Sequence, residues 1–124
     1  MTTETPSLAV IDGTLCQLSR RGTRTVGHTP LATAVVEFQH GSLRVYVREH
    51  PYGLLPGIAN LYALDADFRL LWMAEWPGQE GLCTAIVGEE GETLVAEAAS
   101  GATVRLDAFT GRLLAVEQSL AAAS

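Results

Sequence analysis

Lysine is absent from this sequence of 124 residues, so its eight basic side chains are all arginines, against fourteen aspartates and glutamates. The net charge is −6 and the isoelectric point is near 4.9. A protein that binds nucleic acid needs a stripe of basic side chains to neutralise phosphates, and this composition argues against one. Apolar runs of the ~20 residues that span a membrane are lacking too. We therefore expect neither nucleic acid nor a membrane as a partner.

Cysteine is scarce. Cys16 and Cys83 lie far apart in the chain and form no C-x-x-C motif. A bridge between them is one interpretation, but two free thiols in a reducing compartment are favoured. The segment Met1–Ser7 is polar and acidic and lacks the basic and apolar regions of a signal peptide. We expect a cytoplasmic protein.

Metal-ligand spacing is also lacking. His28, His40 and His50 show no i, i+2 or i, i+4 spacing, so we predict surface histidines in or beside turns. Asp65 and Asp67 resemble the start of a calcium loop, but no glutamate follows at the required distance. A turn cap, in which an aspartate accepts backbone N–H groups, is the better interpretation. The sequence predicts no metal, no cofactor and no catalytic residue.

Two charged clusters and a tryptophan have structural interpretations. The basic cluster at Arg20–Arg24 is predicted to be a solvated loop. The acidic cluster at Glu89–Glu92 is predicted to be a turn that keeps the protein soluble, because neighbouring turn residues do not place two carboxyls across a cleft. Trp72 is predicted to be buried, with its N–H satisfied. The residues predicted around it are Leu70, Ile86 and Leu113.

What the sequence does contain is strand-like alternation between turn residues. The stretch Asn60–Trp76 predicts a strand, a turn at Asp65–Phe68 and a second strand with every other residue on one face. The stretch Leu8–Leu18 carries Asp-Gly between apolar runs, which predicts a type I′ hairpin with φ > 0 at Gly13. Between these stretches, Ser19–Pro30 is either a loop or an edge segment.

These strand pairs repeat along the chain. Leu-Asp-Ala at 64–66 recurs at 106–108, and Arg-Leu-Leu at 69–71 recurs at 112–114, offsets of 42 and 43. Thr-Ala-Val-Val at 33–36 matches Thr-Ala-Ile-Val at 84–87, an offset of 51. We predict one all-β domain over 1–124, with nine extra residues inside the first repeated unit. Its parts are a hairpin at 8–18 and two four-stranded antiparallel units at 32–76 and 82–117.

The turn Leu106–Leu114 resembles the blade repeat of PQQ-like β-propellers, in which an aspartate and a Thr-Gly turn join the last two strands. The stretch Leu64–Trp72 is similar but lacks Thr-Gly. The chain also resembles small stand-alone bacterial proteins that pair a hairpin with two such units. The resemblance implies blade-like sheets. Because Trp72 is interpreted as a buried indole rather than a platform for a ligand, we expect no quinone cofactor. Closed propellers have typically 4–8 blades, so two units either pack face to face as a sandwich or assemble with other chains.

The loop His50–Ile58 is apolar where a connection is normally polar, and the second unit lacks it. It either plugs an open end of the sheet pair or forms a contact patch. As a patch, its partner contacts are Tyr52, Leu54, Leu55 and Ile58. We predict a homodimer or higher oligomer, or a complex with another protein, through this loop or an edge strand. The function expected is a non-enzymatic interaction or self-association module. The alternative is a small-ligand-binding protein or hydrolase with a pocket between the sheets.

Overall fold

The computed structural model describes residues 7–19, 21–51 and 58–118. These ranges contain eleven strands and one 3-10 turn at Gly78–Glu80. The strands are β1 Ser7–Ile11, β2 Thr14–Leu18, β3 Arg24–His28, β4 Val35–His40, β5 Val45–Glu49, β6 Leu61–Leu64, β7 Leu70–Met73, β8 Cys83–Glu90, β9 Thr93–Ala98, β10 Thr103–Asp107 and β11 Leu113–Glu117.

The strands form three antiparallel sheets in chain order. Sheet 1 is β1-β2-β3, sheet 2 is β4-β5-β6-β7 and sheet 3 is β8-β9-β10-β11, and none of them closes into a barrel. The predicted all-β class and both four-stranded units are confirmed. The N-terminal hairpin gains a third strand, because Arg24–His28 pairs with β2 as an edge strand.

The hairpin turn has the predicted conformation. Asp12 and Gly13 have φ of 52° and 76°, which is the pair of positive values that a type I′ turn requires. This twist suits the right-handed strands on either side, and it sets a register in which Ile11 faces Thr14. A side chain at Gly13 would also collide with Ala34.

Sheet 2 lies between the other two, because successive residues of a strand point to opposite faces. In β5, Tyr46 faces sheet 3 and Val47 faces sheet 1, and both are fully buried. The core between sheets 1 and 2 contains Leu15, Val35, Val45, Val47, Tyr62 and Leu64. The core between sheets 2 and 3 contains Tyr46, Leu61, Ala63, Trp72, Ile86, Leu94, Ala96, Val104 and Leu106.

Trp72 is buried as predicted, and its indole N–H donates to the Ala108 carbonyl at 3.1 Å. Leu70 is not its neighbour in the core. Pairing passes from Ala63↔Trp72 to Leu64↔Leu70, so Leu71 is an extra, bulged residue. The bulge shifts the alternation by one residue and turns Leu70 to the opposite face, where 48% of it is exposed.

The predicted offset of 51 for the first two strands of each unit is wrong. In the structure Val35 pairs with Glu49, and its counterpart Cys83 pairs with Ala98. These pairs give offsets of 48 and 49. The matching letters were misleading because β8 has two bulges where β4 has one. Residues 50–60 join β5 to β6 and residues 99–102 join β9 to β10, so the first unit carries seven extra residues rather than nine.

Candidate functional site: the open edge of sheet 1

Six strands lie at the edges of the three sheets, and five of them are bulged. The unpaired extra residues are Gly27 in β3, Val36 in β4, Leu71 in β7, Thr84 and Val87 in β8, and Leu114 in β11. The sixth edge strand, β1, pairs with β2 in unbroken register from Ser7↔Leu18 to Ile11↔Thr14. Because bulges twist an edge away from further pairing, β1 is the one described edge strand that keeps a regular free edge.

Charge gives the same ranking of the edges. Charged side chains protect most of the bulged strands, as Arg24 does in β3, Glu37 in β4 and Glu117 in β11. The sequence of β1, Ser-Leu-Ala-Val-Ile, contains no charge. β7 is also uncharged, but it is only four residues long and bulged. β1 therefore lacks both of the usual protections against pairing with another chain.

Among the described residues, no strand covers this edge of sheet 1. Where sheet 3 meets sheet 2, the Cys83 N–H donates at 2.9 Å to Asn60, in the connection between β5 and β6. Where sheet 2 meets sheet 1, the Val35 N–H donates at 2.8 Å to the Gly13 carbonyl, in the turn between β1 and β2. In both cases the first strand of the next sheet bonds to the connection between two strands of the preceding sheet. β1 and β2 therefore correspond to β5 and β6, the second and third strands of sheet 2. Among the described residues, nothing on sheet 1 holds the position of β4.

The free edge presents a defined set of backbone groups. In a two-residue hairpin the residues that flank the turn bond to each other, so Ile11, Ala9 and Ser7 bond toward β2. The alternation then directs the N–H and C=O groups of Leu8 and Val10 to the free edge. Both side chains are half-buried against the core between sheets 1 and 2. The side chains of this edge are thus packed against the core, while its outward N–H and C=O groups have no partner among the described strands.

A cavity of about 380 Å³ lies beside the Leu8 end of this edge. Its walls come from β1, β2, the turn between β4 and β5, and the turn between β6 and β7. The lining residues are Leu8, Gln17, His40, Gly41, Ser42, Leu43, Arg44, Val45, Ala66 and Phe68. No carboxylate is among them, and most of the wall is apolar.

Arg44 is the buried cation of this wall. Its Nη1 lies 3.6 Å from Glu89, and its guanidinium carbon lies 4.6 Å from the centre of the Phe109 ring. Its buried Nε has no hydrogen-bond partner within the described part of the chain. An unpaired buried donor carries a desolvation cost. The hydrogen-bonding groups of Arg44, where sheet 2 meets Glu89 of sheet 3, are therefore not all satisfied.

Glu89 has a larger role than the predicted solubilising turn. It accepts the Tyr46 hydroxyl at 2.5 Å and the Ser42 N–H at 2.8 Å, which ties sheet 3 to sheet 2. Burial would raise the pKa of Glu89, but these hydrogen bonds and Arg44 hold it below its ordinary value. Burial and the bond to Glu89 raise the pKa of Tyr46 to about 12. The Glu89 carboxylate is therefore committed to this tie.

A second buried network joins sheets 1 and 2. The Glu49 carboxylate accepts the Tyr62 hydroxyl at 2.5 Å and three successive N–H groups at 2.6–3.0 Å, those of residues 31–33. His28 Nε2 lies 2.6 Å from the Tyr62 oxygen and donates to it, because the only hydroxyl proton goes to Glu49. Glu49, Tyr62 and His28 are all buried.

The pKa values of this network follow from its burial and its bonds. Burial would raise the pKa of Glu49, but its amide and hydroxyl donors hold it below its ordinary value. Burial lowers the pKa of His28, against the pull of the Glu49 charge. The prediction of surface histidines is therefore wrong for His28, which is 8% exposed. Its ring bonds to residues distant in the chain, which no local spacing reveals. The hydrogen bonds of Glu49 hold the connection at residues 31–33 in place.

The other predicted site residues divide into those placed and those outside the described ranges. Asp65 caps its turn, accepting the N–H groups of Asp67 and Arg69 at 2.8 and 2.9 Å. His40 is exposed, as are Arg21 and Arg24 of the basic cluster, whose Arg20 lies outside the described ranges. Ile58 is 36% exposed and lines a smaller cavity of about 210 Å³ beside Trp76. Tyr52, Leu54 and Leu55 lie outside the described ranges.

The two thiols are free and buried. Burial raises the pKa of Cys83 to about 12, so its thiolate is scarce at neutral pH. Over residues 7–19, 21–51 and 58–118, no group of three histidine, cysteine, aspartate or glutamate side chains is placed to hold a metal ion. Nor do these ranges contain a helix that is long and apolar enough to span a membrane.

Comparison with known proteins adds no assignment. No protein-family model matches the sequence, and no curated protein or solved structure is significantly similar to it. The site must therefore be judged from its own geometry. The sequence analysis named an edge strand as a possible contact but did not single out β1.

Proposed function

We propose that this chain is a non-enzymatic interaction module whose partner, a second copy or another protein, adds a strand to β1. The observation that carries the proposal is the contrast among the edges. Among the described strands, the other five edges are bulged, while β1 is regular and uncharged and has no described strand on its free side. In strand addition the main chain supplies the hydrogen bonds and pockets for alternate side chains supply specificity, and β1 has a cavity beside it.

The blade-like repeat supports the same proposal. A propeller blade has four strands, and sheet 1 has three described strands. Self-association through the free edge of β1 makes the chain a homodimer or higher oligomer, with the 50–58 loop as a further contact. The free, buried thiols are in keeping with a reducing, cytoplasmic compartment.

A pocket protein, either a small-ligand binder or a hydrolase, is the second candidate. It rests on the cavity of about 380 Å³ beside Leu8, whose size lies within the range of ligand pockets. Binding of a small molecule there without any change at the β1 amides would favour this candidate over strand addition.

The test is the mass of the chain in solution combined with a change at β1. Light scattering at tens of micromolar, well above a ~1 μM Kd at about −8 kcal/mol, separates a self-associating chain from one that needs another partner. Val10→Pro removes one outward N–H, and edge strands tolerate proline. We expect it to abolish association. The matched control is Leu114→Pro, at the exposed bulged residue of β11. Equal association of both variants would move the contact away from β1.

A further inference from the structure

We infer that the buried network of Glu49, Tyr62 and His28 is a pH-sensitive clasp: when His28 takes up a proton, sheet 1 separates from sheet 2 while sheets 2 and 3 stay joined. Strand addition at β1 plays no part in this device. It depends on three features of the molecule, which are the connection that Glu49 holds, the way the hydrogen bonds of the network are filled, and the unequal size of the two cores.

The clasp closes on the connection between the sheets. Residues 29–34 join β3 to β4, and the chain passes from sheet 1 to sheet 2 only here. The connection lies at the surface, with Leu31 and Ala32 exposed. Even so, the N–H groups of residues 31–33 all donate inward to the Glu49 carboxylate on β5, at 2.6–3.0 Å. Release of these three bonds would free the one covalent link between the sheets from β5.

The hydrogen bonds of the clasp are filled while His28 is neutral. The single hydroxyl proton of Tyr62 goes to Glu49, so the Tyr62 oxygen accepts from His28 Nε2, at 2.6 Å. Nε2 therefore carries the proton of the neutral ring, and an added proton must go to Nδ1. No group of the described residues bonds to Nδ1. Protonation thus places a charge on a buried ring without a new acceptor, which carries a desolvation cost.

Burial decides the direction of the response. The titratable groups that face the His28 ring are Tyr62 on β6 and Glu49 on β5, whereas Leu15, opposite it on β2, and Phe68, whose ring packs beside β3, carry no charge. Burial and the bond to Glu49 raise the pKa of Tyr62, so Tyr62 stays protonated. Burial lowers the pKa of His28 from 6.5 and outweighs the Glu49 charge. The open form therefore binds the proton more readily, and acid favours opening.

The two cores differ in size, which makes release of sheet 1 a local event. Among the described residues, six are buried in the core between sheets 1 and 2 and fourteen in the core between sheets 2 and 3. Less apolar burial means a lower free energy of opening. In the second junction Asn60, which binds the Cys83 N–H, does not titrate, and the pKa of Glu89 lies below 4.5. A proton on His28 therefore acts on the weaker junction.

The experiment is amide hydrogen exchange of the full wild-type chain by NMR at several pH values from 7 to 5, with each rate compared with the intrinsic rate at that pH. We expect the amides of residues 31–33 to be protected at pH 7. Their protection should fall below pH 6.5 by up to tenfold per pH unit, because opening takes up one proton. The fall should level off where the His28 ring signals of the folded chain titrate. The Cys83 amide should keep constant protection.

Each other outcome overturns the clasp. Unprotected amides at 31–33, or protection that does not change between pH 7 and 5, would exclude it. An equal loss at Cys83 would mean that the whole chain unfolds rather than sheet 1 alone. These wild-type measurements need no variant, so the inference stays testable even where a substitution prevents folding.

A pair of variants assigns the proton. His28→Gln keeps a side-chain N–H that can donate to Tyr62 but cannot take up a proton. We expect it to keep the 31–33 amides protected at pH 7 and to abolish the loss of protection at lower pH. The matched control is His40→Gln, at an exposed histidine, which should behave as the wild type does. A loss of protection that persists in His28→Gln would overturn the role of His28.

Discussion

The two junctions between sheets are built from different chemistry. Sheets 1 and 2 are joined through a buried carboxylate, Glu49, with its tyrosine and histidine partners. Sheets 2 and 3 are joined mainly by apolar packing, with Trp72 lying against Gly111, where any side chain would collide with the indole ring. Glu89 adds a polar tie at one end of that second junction. The comparison teaches that the first junction is held mainly by a buried charge and its donors, and the second mainly by apolar fit with one charged tie at its end.

The largest effect is expected at the apolar junction. Trp72→Ala should lower the free energy of unfolding by about 3–5 kcal/mol, because a large aromatic side chain is lost from a packed core. Urea unfolding followed by circular dichroism measures the change. Leu71→Ala, at the neighbouring exposed residue, should stay within about 0.5 kcal/mol. Similar losses for the two variants would mean that Trp72 does not hold the junction.

Replacing the buried carboxylate should have the next largest effect. Glu49→Gln keeps the size of the side chain but replaces a charged acceptor of three N–H groups and a hydroxyl by a neutral amide. We expect a loss of about 1.5–3 kcal/mol, the range for hydrogen bonds to charged groups. Glu97→Gln, at an exposed glutamate of β9, is the control in the same urea assay. A neutral Glu49→Gln variant would remove the distinction between the junctions.

A turn substitution should cost less than either. Gly13→Val should lower the free energy of unfolding by about 1–2 kcal/mol, because a β-branched residue is strained at φ of 76° and its Cβ would meet Ala34. The loss should appear in the melting temperature. Gly22→Val, also at positive φ but with open space around it, separates strain from collision. An unchanged Gly13→Val midpoint would contradict the turn geometry.

The smallest effect is a dependence on pH between 7 and 5, a range in which only the first junction, through His28, should respond. The pKa of His28 is lowered from 6.5 by burial, so the unfolded chain binds this proton first as the pH falls. Stability is therefore full above 6.5 and declines from there to the lower folded pKa, and Glu49, whose pKa is also lowered, adds a decline below 4.5. We expect His28→Gln to flatten the melting temperature between pH 7 and 5. A slope equal to that of exposed His40→Gln would exclude His28 as its source.

Much of the fold is readable from local sequence. Asp-Gly at 12–13 specified its turn, and Asp65 its cap, because both depend on groups within a few residues. The face on which Leu70 lies and the offset between the two units were not readable from the sequence. Both are set by β-bulges, and a bulge depends on how two strands pair rather than on one strand's sequence. Glu49 escaped notice for a similar reason, since its donors come from residues 31–33 and Tyr62. The open edge at β1 could not be read from the sequence either, because it depends on which strands pair and on where the bulges fall.

The burial of Cys83 makes opening of the junction between sheets 2 and 3 measurable. Cys83 begins β8 with no exposed surface, lies in the core between these two sheets, and its backbone N–H donates to Asn60 in the connection between β5 and β6. A thiol reagent can reach this sulfur only during a local opening, so the labelling rate reports the free energy of that opening.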